Sequence, residues 1–235
     1  MSAPQVVLLT AGRGTRLGRA LPKPLTPLAD GRSILRQQIE NLRGVLGPEL
    51  PITAVVGFRA EVVMAAAPDV TFAYNRDYAT TNTSKSLLLG LLTSRPGGVL
   101  WLNGDVVFDP QLLAHLRPHL LEDRTVVCVD TAATGDEEVK YTVDRHGLVR
   151  GLSKTVRGGL GEAVGINHVG SGDKALLVEH LRACADDDYF ERGIETAIGE
   201  GLRVHPVDIS RFGAVEVDVE ADLARANLLG LRATG

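Results

Sequence analysis

The residues best suited to chemistry open the chain. Between Gly12 and Arg32 stand five bases, Arg13, Arg16, Arg19, Lys23 and Arg32, against the single acid Asp30. The whole protein has a formal net charge of −4. Gly12 and Gly14 follow closely on the apolar run Val6 to Leu9. Glycines let backbone N–H groups approach an anion, and guanidinium and ammonium groups add fixed positive charge, so the pattern predicts a phosphate grip. The spacing excludes two familiar grips. A P-loop needs GxxxxGK[ST], whereas Lys23 comes eleven residues after Gly12, between Pro22 and Pro24. A dinucleotide fingerprint needs GxGxxG, whereas Gly12, Gly14 and Gly18 read GxGxxxG. A solvated basic loop would explain neither the glycines nor the prolines around the lysine.

Carboxylates supply the second half of the chemistry. Val99 to Leu102 is fully apolar and ends at Asn103-Gly104-Asp105. Burying an unpaired charge at a strand end is costly, so Asp105 is expected to face a cation. Near the other end of the chain, Val215, Val217 and Val219 alternate with Glu216 and Asp218, which places the two acids on one face of a strand. The polar run 75–86 precedes a leucine-rich helix, and its Thr81, Asn82 and Ser86 offer donors and acceptors for a pyrimidine edge or, equally, caps for the helix. Further candidates are single residues. Lys154 follows a hairpin, Glu162 lies just before a strand and His168 near that strand's end, and Tyr189 and Glu191 open a helix where an aromatic beside carboxylates suits a cationic head group. A surface lysine, a core histidine and ordinary helix-start acids are the competing readings of these residues.

The elements that must position these groups read as alternating strands and helices. Val6 to Leu9, Ile52 to Val56, Val70 to Tyr74, Val99 to Leu102, Thr125 to Asp130 and Ala163 to Val169 are strand-like. Between them lie a helix capped by Ser33 with Leu35, Ile39, Leu42 and Leu46 on one stripe, a short helix over 59–67, a helix that Ser84 could cap, and helix 110–121 capped by Asp109. Runs 139–144 and 148–152 flank Arg145-His146-Gly147 as a hairpin, and helices follow at 173–184 and from Asp222. The alternation predicts α/β architecture: a single-domain, Rossmann-like three-layer α/β/α fold over residues 1–235, with a mostly parallel mixed sheet and a small β-hairpin insertion. Ligand groups should gather at the carboxyl ends of its strands.

Composition narrows the class further. The apolar run at the N-terminus is too short for a signal peptide or membrane span, so a cytoplasmic protein without a membrane partner is expected. Cys128 and Cys184 share no metal-ligand spacing and read as reduced core thiols. With no basic run beyond the opening loop, nucleic acid is not an expected partner.

Ala11-Gly12-Arg13-Gly14-Thr15-Arg16 followed by Pro22-Lys23-Pro24 resembles the AGxGxR and PK signature of nucleotidyltransferases of the nucleotide-diphospho-sugar transferase-like family. The Asn82/Ser86 pair before a leucine-rich helix is similar to the phosphocholine and phosphonate cytidylyltransferases, and Glu216-Val217-Asp218 with Asp222-Leu223 to that family's closing element. The resemblance implies Mg²⁺ held by Asp105 and Asp218, and a nucleoside triphosphate, with CTP favoured. It implies phosphate contacts from Arg13, Arg16 and Lys23, and nucleotide contacts from Thr10, Ala11, Gly12, Gly14, Thr15, Thr81, Asn82, Ser86, Asn103 and Gly104. The acceptor, a small phosphate or phosphonate, would meet Lys154, Glu162, His168, Tyr189, Glu191 and Glu216. Either a monomer or a homodimer is compatible. Two alternatives stay open: sugar-1-phosphate nucleotidylyl transfer from UTP, dTTP or GTP, and a non-catalytic nucleotide-binding subunit.

Overall fold

The computed structural model describes residues 4–14, 18, 21–132 and 138–232. At its centre is Val6–Thr10 (β1), whose Val6 and Leu8 enter one apolar cluster while Val7 and Leu9 enter another. Successive side chains point to opposite faces, so an unbroken apolar run is what a parallel strand covered on both sides requires. β1 pairs in parallel with Ile52–Val56 (β2) and Val99–Asn103 (β4), and Thr71–Tyr74 (β3) pairs in parallel with β2. Glu162–Val169 (β9) runs antiparallel between β4 and Val126–Asp130 (β6), and His205–Asp208 (β10) lies parallel to β6. The main path of the sheet is β10-β6-β9-β4-β1-β2-β3.

Helices cover both faces. Leu35, Ile39 and Leu42 of Ile34–Leu46 (α1), Val63 of Ala60–Ala66 (α2) and Leu112 and Leu116 of Gln111–Leu121 (α4) bury in one cluster. Leu87 and Leu91 of Thr83–Thr93 (α3), Leu177 and Leu181 of Lys174–Ala183 (α5) and Ile194 of Phe190–Gly199 (α6) bury in the other. This is the three-layer mixed-sheet fold expected from the alternation. The hairpin is also present: Lys140–Val143 (β7) pairs with Val149–Ser153 (β8), and Lys140 pairs with Glu162 of β9. Within the second layer, Trp101 of β4 meets Phe190 edge-to-face, with ring centroids 5.7 Å apart and planes at 89°.

Three elements escaped the sequence: the strand over 106–108, the strand over 205–208 and the turn over 23–25, whereas the strand at 214–216 was expected. Val106–Phe108 (β5) and Ala214–Glu216 (β11) form a small antiparallel ribbon, covered by Glu220–Arg232 (α7) through Leu223 and Ala226 against Val107 and Val217. β10 contains Pro206, which an edge strand tolerates because its outer side needs no ladder donor. Lys23–Leu25 forms a single 3-10 turn. One cap also moved. Ser84 is fully buried inside α3, and Asn82 is the N-cap, its side chain accepting from Thr83 N at 2.8 Å. Among the described residues no helix is long and apolar enough to cross a membrane.

Candidate active site

Parallel pairing brings the carboxyl ends of β1 and β4 side by side, with Leu9 opposite Asn103. The loop after β1 and the turn after β4 therefore share one rim, and Gly104 N donates to Leu9 O at 2.9 Å. A Cβ at Gly104 would lie 2.6 Å from Leu9 O and 3.2 Å from Pro24 Cγ, so only glycine lets the two segments approach this closely. Gly14 has φ +56°, and a Cβ there would meet Lys23 Cβ at 2.7 Å, which ties the glycine-rich loop to the lysine stem beneath it. Two glutamines and the last strand complete the scaffold. The fully buried Gln38 of α1 donates from Nε2 to Asn103 O and Val106 O, each at 2.8 Å, and so braces the turn that carries Asp105. Gln37 donates to Phe108 O at 3.0 Å. Val217 N donates to Asp105 O at 3.0 Å, which brings residue 218 next to Asp105 across more than a hundred residues of chain.

The outcome is a compact charge cluster. Lys23 Nζ donates to Asp105 Oδ2 at 2.7 Å and also to Asp218 Oδ1, with the lysine side chain 10% exposed. Carboxylate oxygens of Asp105, Glu216 and Asp218 all lie within 4.8 Å of one another. Burial alone would lower the Lys23 pKa; the two paired carboxylates outweigh it and hold the ammonium above its usual value. Glu216 is pushed well above the usual carboxylate range, first by burial and then by the negative charges of Asp105 and Asp218. Among the described residues Asp105 Oδ1 is buried without a hydrogen-bond partner. Three converging carboxylates with an orphaned oxygen form an all-oxygen donor set that fits a hard divalent cation such as Mg²⁺. Asp222 supports the cluster from behind, its Oδ2 accepting from Asp218 N at 2.9 Å and Val219 N at 2.8 Å.

The cluster opens into a cavity of about 320 Å³. Thr10, Gly12, Gly14, Asn82, Asn103 and Gly104 of the expected nucleotide contacts line it. So do Lys154, Tyr189, Glu191 and Glu216 of the expected acceptor contacts. The Thr10 hydroxyl donates to Val55 O at 2.8 Å, so it serves the sheet. Arg13 is exposed, its guanidinium 5.9 Å from the centroid of the Tyr78 ring. Ala11 is buried at the loop start and accepts from Phe58 N at 3.0 Å. Thr15 and Arg16 lie outside the described residues.

Four expectations are corrected. His168 does not face the cavity. β9 runs antiparallel to β4, so its last residues lie at the opposite end of the sheet, where His168 sits opposite Leu100 and its Nδ1 bonds Arg124 O at 2.7 Å. Burial lowers its pKa. For the same reason Gly165, near the start of β9, meets the Asn103 side chain at the cavity. Glu162 pairs with Asp130 and Lys140 and does not line the cavity, whereas its neighbour Ala163 does, as strand alternation dictates. Thr81 and Ser86 do not line it either. Their hydroxyls each accept from Asn75 Nδ2 at 3.1 Å, so they hold the 75–86 loop together. Gln38, which the sequence missed, carries no motif, and Asp222, named only as part of the closing element and a helix start, turns out to brace Asp218 from the first turn of α7.

Residues 6–187 match the MobA-like NTP transferase domain. The chain belongs to that family. Its members are nucleotidyltransferases. Among curated relatives, a stretch of 115 residues is 40% identical to the bifunctional protein GlmU of Picosynechococcus sp., covering 47% of this chain and 25% of that protein. GlmU of Burkholderia mallei is 42% identical over 104 residues, 43% of this chain and 22% of that protein. The chain thus spans about a quarter of the length of the curated relatives it matches. Among solved structures, the inositol-1-phosphate CTP transferase from T. maritima superposes with a TM-score of 0.80 at 17% identity, covering 97% of this chain and 96% of that one. The CTP:phosphocholine cytidylyltransferase LicC from Streptococcus pneumoniae gives 0.76 at 18% identity, covering 97% and 99%. At these identities the likeness is one of fold.

Proposed function

We propose that this protein is a Mg²⁺-dependent cytidylyltransferase that moves CMP from CTP onto a small phosphorylated alcohol or phosphonate, of phosphocholine or aminoethylphosphonate type, and releases pyrophosphate. The observation that carries this reading is the convergence of Lys23 with Asp105, Glu216 and Asp218 at the cavity below the glycine-rich loop. In the reaction an acceptor oxygen forms a bond to the α-phosphorus, the bond to the β-phosphate bridging oxygen breaks, and pyrophosphate leaves with the electron pair. Two anions must meet, so positioning and fixed positive charge carry the catalysis and no protein nucleophile is required.

The Lys23 ammonium, held charged by its carboxylate partners, would neutralise charge on the α-phosphate and the entering oxygen. Arg13 and Arg16 would hold the leaving β- and γ-phosphates, with backbone N–H groups of the 11–14 loop. Asn103, whose side chain lines the cavity, would read the nucleoside, with Asn82 beside it capping α3. Asp105, Asp218 and Glu216 would hold Mg²⁺, which supplies Lewis-acid neutralisation of phosphate charge. An acceptor phosphate is already ionised near neutral pH, so no general base is needed.

CTP is favoured because the neighbours from T. maritima and S. pneumoniae are CTP enzymes by name. A second reading, sugar-1-phosphate nucleotidylyl transfer, is supported by the nucleoside-diphosphate-sugar pyrophosphorylase from Vibrio cholerae, which superposes at a TM-score of 0.77 and 15% identity over 95% of this chain. A screen of four NTPs against choline, aminoethyl, inositol and sugar phosphates, read by pyrophosphate release, decides between them. CTP with a small acceptor is the expected pair. Release only with UTP, dTTP or GTP and a sugar phosphate would replace this reading by the second, and NTP binding with no release from any pair would replace both by a non-catalytic subunit.

A further inference from the structure

A second buried carboxyl lines the same cavity. Glu191, in the first turn of α6, is 9% exposed, and its Oε2 is buried with no hydrogen-bond partner among the described residues. Burial pushes its pKa up to about 7, and its own backbone N–H and the nearby Lys154 offset this only in part. Beside it, Tyr189 is 46% exposed and lines the cavity. The Lys154 ammonium stands over the Tyr189 ring, 5.2 Å from its centroid. The molecule therefore already seats one alkylammonium on this wall, supplied by its own chain.

The wall is suited to a particular kind of ammonium. Quaternary ammonium groups have no N–H and are held by several aromatic faces. Here the aromatic residues lining the cavity are Tyr189 and Phe190, and Phe190 is 2% exposed with its ring against Trp101. On this wall the Tyr189 ring and the Glu191 Oε2 remain. The oxygen calls for an N–H donor, because a buried acceptor left unpaired bears its full desolvation cost. The surrounding charge calls for a cation. Glu138 and Asp222 also line the cavity, and Arg225, which lines it too, is already paired with Asp222 at 2.7 Å.

We infer that the acceptor bears a primary ammonium group on its tail, seated on Tyr189 in place of the Lys154 ammonium and donating an N–H to Glu191 Oε2. This rests on the transfer reaction proposed above and narrows its acceptor class to aminoalkyl phosphates or phosphonates. A site built to satisfy a hydrogen bond discriminates strongly against the analogue that lacks it.

The test is an N-methylation series with CTP and Mg²⁺: phosphoethanolamine, its N-methyl and N,N-dimethyl derivatives, and phosphocholine, with glycerol 3-phosphate as the uncharged tail. Pyrophosphate release should give the highest kcat/KM for phosphoethanolamine and a fall of about tenfold or more to phosphocholine, the range of one charge-assisted hydrogen bond. Glu191→Gln should bring the ratio of those two acceptors towards one. Preference for phosphocholine or glycerol 3-phosphate, or a Glu191→Gln enzyme with the ratio intact, would overturn the inference while leaving the transfer reaction standing. If Glu191→Gln does not fold, the series on the unmodified protein decides alone. If no acceptor is turned over with any NTP, the transfer reaction itself fails. Calorimetry then decides the subsite: phosphoethanolamine binding at least about tenfold tighter than phosphocholine sustains it, and equal or absent binding overturns it.

Discussion

Two carboxylate groupings share one cavity and are built in opposite ways. Asp105, Glu216 and Asp218 come from two distant segments, are braced by backbone hydrogen bonds through Gln38, Val217 and Asp222, and are answered by Lys23. Glu191 stands on one helix start without such bracing, and among the described residues its Oε2 has no hydrogen-bond partner. The first grouping has its geometry set in advance of any ligand, as electrostatic catalysis demands. The second leaves its donor to the ligand, as selectivity demands. On the transfer reaction proposed above, rate and choice would fall to different parts of one wall.

Substitutions can break that contrast. Asp105→Ala should abolish turnover, by about three orders of magnitude in pyrophosphate release, the scale of losing one preorganised charged group, with the far-UV spectrum unchanged. A normal rate at controlled Mg²⁺ would remove Asp105 from the chemistry. Lys23→Met should lower kcat by about a hundredfold and NTP affinity by much less, which places the ammonium with the transition state. An effect confined to affinity would make it a binding group only. Gln38→Ala never touches substrate but unbinds the 103–106 turn, so it should cost about 1–3 kcal/mol in denaturant unfolding together with part of kcat. Asp222→Ala should be milder, about 1 kcal/mol of stability, with a several-fold rise in the Mg²⁺ concentration for half-maximal rate as Asp218 loosens. Equal loss of acceptor selectivity in any of these four variants would erase the division of labour between the groupings.

Local signals were legible in the sequence, and long-range ones were not. The apolar run of β1, the Ser33 cap, the hairpin and the acid at the end of β4 are each encoded within a few consecutive residues, and each lies where its pattern requires. The bracing by Gln38 is invisible, since a buried glutamine in a helix stripe looks like any other polar residue until the turn it serves is folded against it. His168 was misplaced because strand direction is a property of the whole sheet. The residues of β9 do not reveal that it runs against β4, and direction alone decides which strand end meets the ligand. The 81–86 hydroxyls read as ligand groups because their partner Asn75 is in the same loop, where a side-chain bond and a free donor leave the same trace in sequence. Glu216, expected to face the acceptor, lines the cavity and is also set beside Asp105 by the ribbon of β11 with β5, a proximity no local pattern encodes.

The edge-to-face contact between Trp101 and Phe190 gives this protein a native fluorophore in an informative position. The chain has a single tryptophan, two residues before Asn103 on β4, and its indole touches the residue that joins Tyr189 to Glu191. Its emission therefore comes from one environment only, and any shift of the α6 start registers in intensity or wavelength without a label. Stopped-flow mixing can then time the seating of an acceptor separately from the release of pyrophosphate, in the unmodified protein.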